Sequence, residues 1–184
     1  MRYESCEVFV QVAPEAIFFC VHLHWPMSGA CAKLRNYLGT QKDRVMTQSP
    51  ILHITPATGY AGDIPAPLAW QWVQSGEAVL IDVRTDAERA WVGQVPGAIP
   101  VQWKLWPGMA QNPDFDAQLL AAVPPGGKAV LLCRSGVRSV AAALRATQLG
   151  VQAYNILEGF EGDVDANGHR GNTGGWRKQG LPWC

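Results

Sequence analysis

The chain has 184 residues, 48% of them hydrophobic and 16% charged, with 15 basic and 15 acidic side chains that cancel. That length suits one domain of ordinary size with residues to spare, and the apolar content excludes a wholly disordered chain. A net charge of zero excludes an overall field that draws the protein to nucleic acid or to a membrane surface, while leaving room for a local positive pocket that takes a small anion.

Residues 1–57 carry no sustained helical or strand period. They read as an N-terminal extension, irregular or not part of the native protein, and Met46 offers a later natural start. The alternative is an ordered extension that packs on the domain. The apolar stretch from Ile17 to Trp25 includes His22 and His24 and falls short of the about 20 residues a membrane span needs. Ala30-Cys31-Ala32 has the small-x-small form of a cleavage site, but Glu4, Glu7 and Glu15 precede it where a signal peptide wants positive charge. A cytoplasmic protein is expected, with a periplasmic one as the alternative.

Residues 58–184 are regular and form the domain. Pro65-Ala66-Pro67 leads into a short helix through Leu68, Trp70, Trp72 and Val73 that stops at Gly76. The apolar run from Ala78 to Val83 suits a strand buried on both faces. A helix with an acidic start follows from Asp86 to Trp91, then a turn at Pro96-Gly97 and a short strand over residues 98–101. A second acidic start at Asp114 opens a helix that ends at Val123, before Pro124-Pro125-Gly126-Gly127. Lys128–Leu132 is another buried strand, Ser139–Leu149 an Ala- and Leu-rich helix closed by Gly150, and Gln152–Leu157 a further strand. The rest is Gly-rich, with a short helical piece near Trp176. Alternation of strand and helix predicts an α/β fold with a parallel sheet and helices on both faces.

Ligands of such sheets bind at the carboxyl ends of strands. Cys133 sits there, between the strand ending at Leu132 and the helix near Ser139. Five cysteines at irregular spacings, without a CxxC or Cys/His set, argue against a zinc site, and no metal or cofactor is expected. In Cys133-Arg134-Ser135-Gly136-Val137-Arg138-Ser139, the backbone N–H groups have no strand or helix partner and converge into an anion nest if the loop curls. Gly136 permits the curl. The helix N-terminus and the nearby arginines favour a thiolate at Cys133, and the polar residues after it predict exposure, against the alternative of an inert buried cysteine. Arg138 at a helix N-terminus calls for a compensating anion: the thiolate, its product or the substrate. The alternative makes both arginines solvated surface residues. The loop holds no Asp for general-acid work, and Leu132 rather than His precedes the cysteine, which favours chemistry without obligatory proton transfer.

Three stretches resemble the rhodanese-like sulfurtransferases: Leu80–Arg84 with Asp86, Glu88 and Gly93-Gln-Val-Pro-Gly-Ala98; the Cys133–Ser139 loop; and Leu157-Glu-Gly159-Phe with Gly174-Gly-Trp176 and Gly180-Leu-Pro182. The resemblance implies a single domain with a mainly parallel five-stranded sheet flanked by helices. It implies that Cys133 takes the outer sulfur of thiosulfate as a persulfide and passes it to a thiophilic acceptor, cyanide or a thiol, including a protein thiol. The amides of Arg134, Ser135, Gly136, Val137, Arg138 and Ser139 would hold the persulfide, and Arg138 would bind the sulfonate. Phosphatases and arsenate reductases of the same fold use a loop one residue longer than Cys133–Arg138. They remain the alternative, beside a non-enzymatic binding or redox-sensing module.

Gln94 stands where the family often has His. An insertion over residues 162–173 places His169 and Arg170 as candidates for the rim of the site. Within it, Asp163-x-Asp165-x-Asn167-Gly168 copies the opening of a calcium loop but lacks its closing Glu, so an Asp/Asn turn bonded to its own backbone is the competing reading. Arg84 is either a rim residue or, with Asp82, a structural ion pair, and the cost of burying charge favours the pair. The tryptophans lack an interleaved basic stripe, so no nucleic-acid partner is expected, and Cys184 reads as a frayed C-terminal residue.

Overall fold

The computed structural model describes residues 52–184. Met46, Cys6, Cys20, Cys31, the Ala30–Ala32 stretch and all of the proposed extension except 52–57 lie outside the described residues. Thr55 bridges Asp63 through two 2.8 Å backbone bonds, so the hydrogen bonding of the domain reaches upstream of residue 58.

The elements run β1 (Gly62–Ile64), α1 (Ala66–Gln74), β2 (Ala78–Asp82), α2 (Asp86–Val92), β3 (Ile99–Pro100), β4 (Lys104–Leu105), β5 (Ala110–Gln111), α3 (Phe115–Ala122), β6 (Lys128–Leu132), α4 (Val137–Gln148), β7 (Gln152–Ile156) and α5 (Gly175–Lys178). Five strands form one sheet in the order β1-β7-β6-β2-β3, with every neighbour parallel. β4 and β5 make a separate antiparallel pair. This is the expected α/β arrangement with a five-stranded parallel sheet.

Successive side chains of β6 point to opposite faces, and each face is covered. Val130 and Leu132 join Leu68, Trp72, Phe160 and Trp176 on the side of α1 and α5. Ala129, Leu131 and Cys133 join Phe115, Leu119, Ala142, Ala143 and Ala146 on the side of α3 and α4. The three alanines of α4 leave little between helix and sheet, so the helix lies close to β6 and β7. Among the described residues, no helix is long and apolar enough to cross a membrane.

Register places the site. Asp82 pairs with Leu132, and Val83 N–H donates to the Leu132 carbonyl at 2.9 Å. The chain after β2 and the chain after β6 therefore leave the sheet side by side.

Candidate active site

Cys133 continues the alternation of β6, which turns its side chain toward α4. Gly136 follows in the left-handed region at φ 93° and ends the loop as the N-cap of α4. That conformation, costly for a residue with a Cβ, brings the Gly136 N–H back to Cys133 Sγ at 3.1 Å. Ser139, one turn into α4, places Oγ 3.1 Å from the same sulfur. α4 starts at Val137, two residues before the predicted Ser139, because the glycine turn lets the first helical turn close over the sulfur. The exposure expected of Cys133 is not found: the residue is 1% exposed. The polar loop residues wrap around the sulfur and leave Arg134 and Val137 facing solvent.

The other side of the loop is gripped by the segment after β7. Phe160 N–H donates to the Cys133 carbonyl at 2.8 Å and Glu161 N–H to the Arg134 carbonyl at 2.9 Å. Gly159 lies so close that a Cβ on it would meet Cys133 O at 2.5 Å and Ser135 N at 2.7 Å. The preceding Glu158 takes φ 62°, and its carboxylate accepts from the Gly175 N–H at 3.0 Å, tying the segment to α5.

Both loop arginines are paired. Arg134 Nε donates to Glu161 Oε2 at 2.7 Å. Arg138 makes two bonds to Glu88, Nη1 to Oε2 at 2.7 Å and Nη2 to Oε1 at 2.5 Å. Glu88 also closes the capping box of α2 with Thr85. Burial works to raise the pKa of Glu88, but the bonds from Arg138 and Thr85 outweigh it and bring it down to about 2. Arg138 is driven further toward its charged form by its bonds to Glu88, which outweigh the opposing effect of burial. The anion that compensates Arg138 in the structure is thus Glu88.

Arg84 lies away from the rim. It is fully buried, held by Asp82 at 2.6 Å and by the Gly93 carbonyl at 3.0 Å, with its guanidinium 4.0 Å over the Phe160 ring. The cost of an unpaired buried charge explains the placement. In the insertion, Arg170 Nη1 donates to the Gly162 carbonyl at 2.6 Å, and His169 is exposed with its N–H on Asp165. The Asp165 carboxylate accepts from the N–H groups of Asn167 and His169 and from the Asn172 amide, which is the self-bonded turn. Cys184 is not frayed. Its N–H and carbonyl exchange bonds of 2.9 and 2.7 Å with the backbone of Gln94.

Four residues at this site had no role assigned from the sequence: Glu88, Asn155, Gly159 and Glu161. Thr85-Asp-Ala-Glu88 is a capping-box pattern visible in the sequence, but nothing there indicates that its Glu reaches a residue 50 positions on. Asn155 is a polar residue inside an apolar strand, which is itself a signal. Its Oδ1 accepts from Ser139 Oγ at 2.6 Å.

The sulfur of Cys133 thus sits at the end of β6 in a parallel sheet, held by a backbone N–H and a hydroxyl. Residues 66–166 match the rhodanese-like domain family. This chain belongs to the rhodanese-like family. An uncharacterised Rickettsia rickettsii member, the RP600 homolog, is 34% identical over 114 residues, covering 60% of this chain and 86% of that protein. A thiosulfate sulfurtransferase, GlpE, of Actinobacillus succinogenes is 30% identical over 122 residues, covering 65% of this chain and 87% of that protein. Among solved structures, the Rv0390 protein of M. tuberculosis is 44% identical with a TM-score of 0.62, covering 68% of this chain and 98% of that one. The rhodanese-like family is consistent with a sulfurtransferase.

Proposed function

We propose that this rhodanese-like protein moves sulfane sulfur from thiosulfate or a related donor, through a persulfide on Cys133, to cyanide or a thiol, including a protein thiol. The observation that carries the reading is the state of the carboxylates around the sulfur. Glu88 is held at about 2 and bonded to Arg138, Glu161 is bonded to Arg134, and Asp82 to Arg84. Each of these carboxylates is engaged by an arginine rather than free to serve as the general acid that phosphoester cleavage with a poor leaving group requires. Sulfur transfer has no such need. The Cys133 thiolate attacks the outer sulfur of thiosulfate, the S–S bond to the sulfonate breaks, and sulfite leaves with the electron pair. Cyanide then attacks the terminal sulfur of the persulfide, thiocyanate leaves, and the thiolate is restored. No proton, oxidant or reductant enters the cycle.

The Gly136 N–H, on the sulfur at 3.1 Å, and the N-terminal end of α4 favour negative charge at this place. His169, exposed on the insertion, and Arg170 beside it are proposed to meet the acceptor. The test is intact mass after thiosulfate treatment. The wild type gains one sulfur and loses it to cyanide, whereas Cys133→Ser gains none. Persulfide formation in Cys133→Ser, or hydrolysis of an aryl phosphate dependent on Cys133, overturns the reading.

A further inference from the structure

β7 buries one polar side chain at the site, Asn155, 3% exposed. Its register partners are Leu131 on β6 and Asp63 on β1. Asn155 Nδ2 donates to Asp63 Oδ1 at 2.8 Å, and the Tyr60 hydroxyl donates to the same oxygen at 2.8 Å. A carboxylate only accepts, so this bond fixes which way the amide points. Oδ1 of Asn155 must face Ser139, where it accepts from Oγ at 2.6 Å.

Ser139 has one hydroxyl proton and three acceptors in reach: Cys133 Sγ at 3.1 Å, Gly136 O at 3.0 Å and Asn155 Oδ1 at 2.6 Å. Gly136 O has a second donor in Val140 N–H at 3.2 Å, and the sulfur has the Gly136 N–H at 3.1 Å. Asn155 Oδ1 has no other donor among the described residues. An unmade bond at a buried acceptor is costly, so the proton rests toward Asn155. Ser139 then turns a lone pair to the sulfur. A neutral divalent sulfur tolerates that, and a thiolate does not.

We propose that Asn155, oriented by Asp63, is a positioning residue that biases Cys133 toward its persulfide form by withholding the Ser139 proton from the empty thiolate. This rests on the sulfurtransferase reading above. Before loading, the full charge sits on Sγ beside Ser139. The thiolate attacks the outer sulfur of thiosulfate, one S–S bond forms, another breaks, and sulfite leaves with the electron pair. Sγ is then neutral, and the charge lies on the new terminal sulfur, one bond further out. The withheld proton disfavours the empty state alone.

The experiment measures the loading equilibrium of the full-length protein. Thiosulfate is set against graded sulfite, and loaded and empty protein are read by intact mass in the wild type, N155L and D63N. N155L removes the competing acceptor. D63N lets residue 63 present either a carbonyl oxygen or an NH2 group to Asn155, so the Asn155 amide is no longer confined to one orientation and can turn Nδ2 toward Ser139, which releases the hydroxyl proton to the sulfur. Each variant is expected to lower the sulfite-to-thiosulfate ratio at half-loading about tenfold, the worth of one buried hydrogen bond. D63N, with its melting temperature checked, decides the matter if N155L fails to fold. An unchanged or raised ratio in folded D63N overturns the inference alone. A wild type that never gains sulfur overturns the sulfurtransferase reading and this inference with it.

Discussion

Glu88→Gln separates the Arg138 pair from everything else that Glu88 does. Glutamine serves a capping box as well as glutamate, so the start of α2 keeps its bonds to Thr85. What goes is the charge that faces Arg138. Those two side chains are only 18% and 21% exposed, and they share bonds of 2.7 and 2.5 Å. The fall of Glu88 from 4.5 to about 2 sets the scale, roughly 3 kcal/mol when converted at the usual rate and trimmed to about 2–3 kcal/mol for the solvent that reaches the pair. A group whose pKa is depressed by folding stabilises above its unfolded value and loses that effect as pH falls through its folded value. Urea unfolding of wild type and E88Q should therefore differ by about 2–3 kcal/mol at pH 7. The gap should stay constant down to about pH 4.5 and close as the pH approaches about 2. A gap that is absent at pH 7, or that persists unchanged to pH 2, refutes the reasoning.

Gly159→Ala should be far more damaging than its size suggests. The new methyl meets the Cys133 carbonyl at 2.5 Å and the Arg134 carbonyl carbon at 2.7 Å, in a backbone at φ 60°. A loss above about 2 kcal/mol in thermal or urea unfolding is expected, together with loss of sulfur uptake by mass, and a variant with wild-type stability and uptake contradicts the packing argument. Removal of Trp183 and Cys184 breaks both backbone bonds to Gln94 and the edge contact of Trp183 with Phe160 at 6.1 Å. The melting temperature should fall by the equivalent of about 1–3 kcal/mol, and an unchanged value would show the tail to be incidental.

The strands and helices that bury long apolar runs were legible in the sequence. β2 and β6 carry continuous hydrophobic stretches, β7 a shorter apolar run broken by Asn155, and α4 a helix-forming run closed by Gly150. β1 was not legible. It is three residues long and includes a glycine and an aspartate, residue types that strands disfavour, and it forms because β7 offers it an edge. β4 and β5 are two residues each and leave no periodic trace. Cys133 and its loop were legible because a strand-to-helix turn is a local pattern. Its partners were not. Glu88, Asn155 and Glu161 reach the loop through sheet register and chain crossings, and a single sequence carries no record of which distant side chains meet. The same limit explains why Glu88 is not legible as the partner of Arg138.

The grip of residues 159–161 on the loop has a consequence for how reactivity arises. Cys133 is synthesised well before the residues that shape its surroundings. A nascent chain that has emerged only as far as α4 carries the cysteine and its arginines, but Phe160 and Glu161 are not yet there to fix the carbonyls of Cys133 and Arg134. Nor is Asn155 there to hold Ser139. The surroundings of Cys133 are therefore complete only with β7 in place between β1 and β6, and a chain cut short before β7 presents the thiol without these contacts. The sheet order thus makes the surroundings of the cysteine depend on the strand that comes last in the chain.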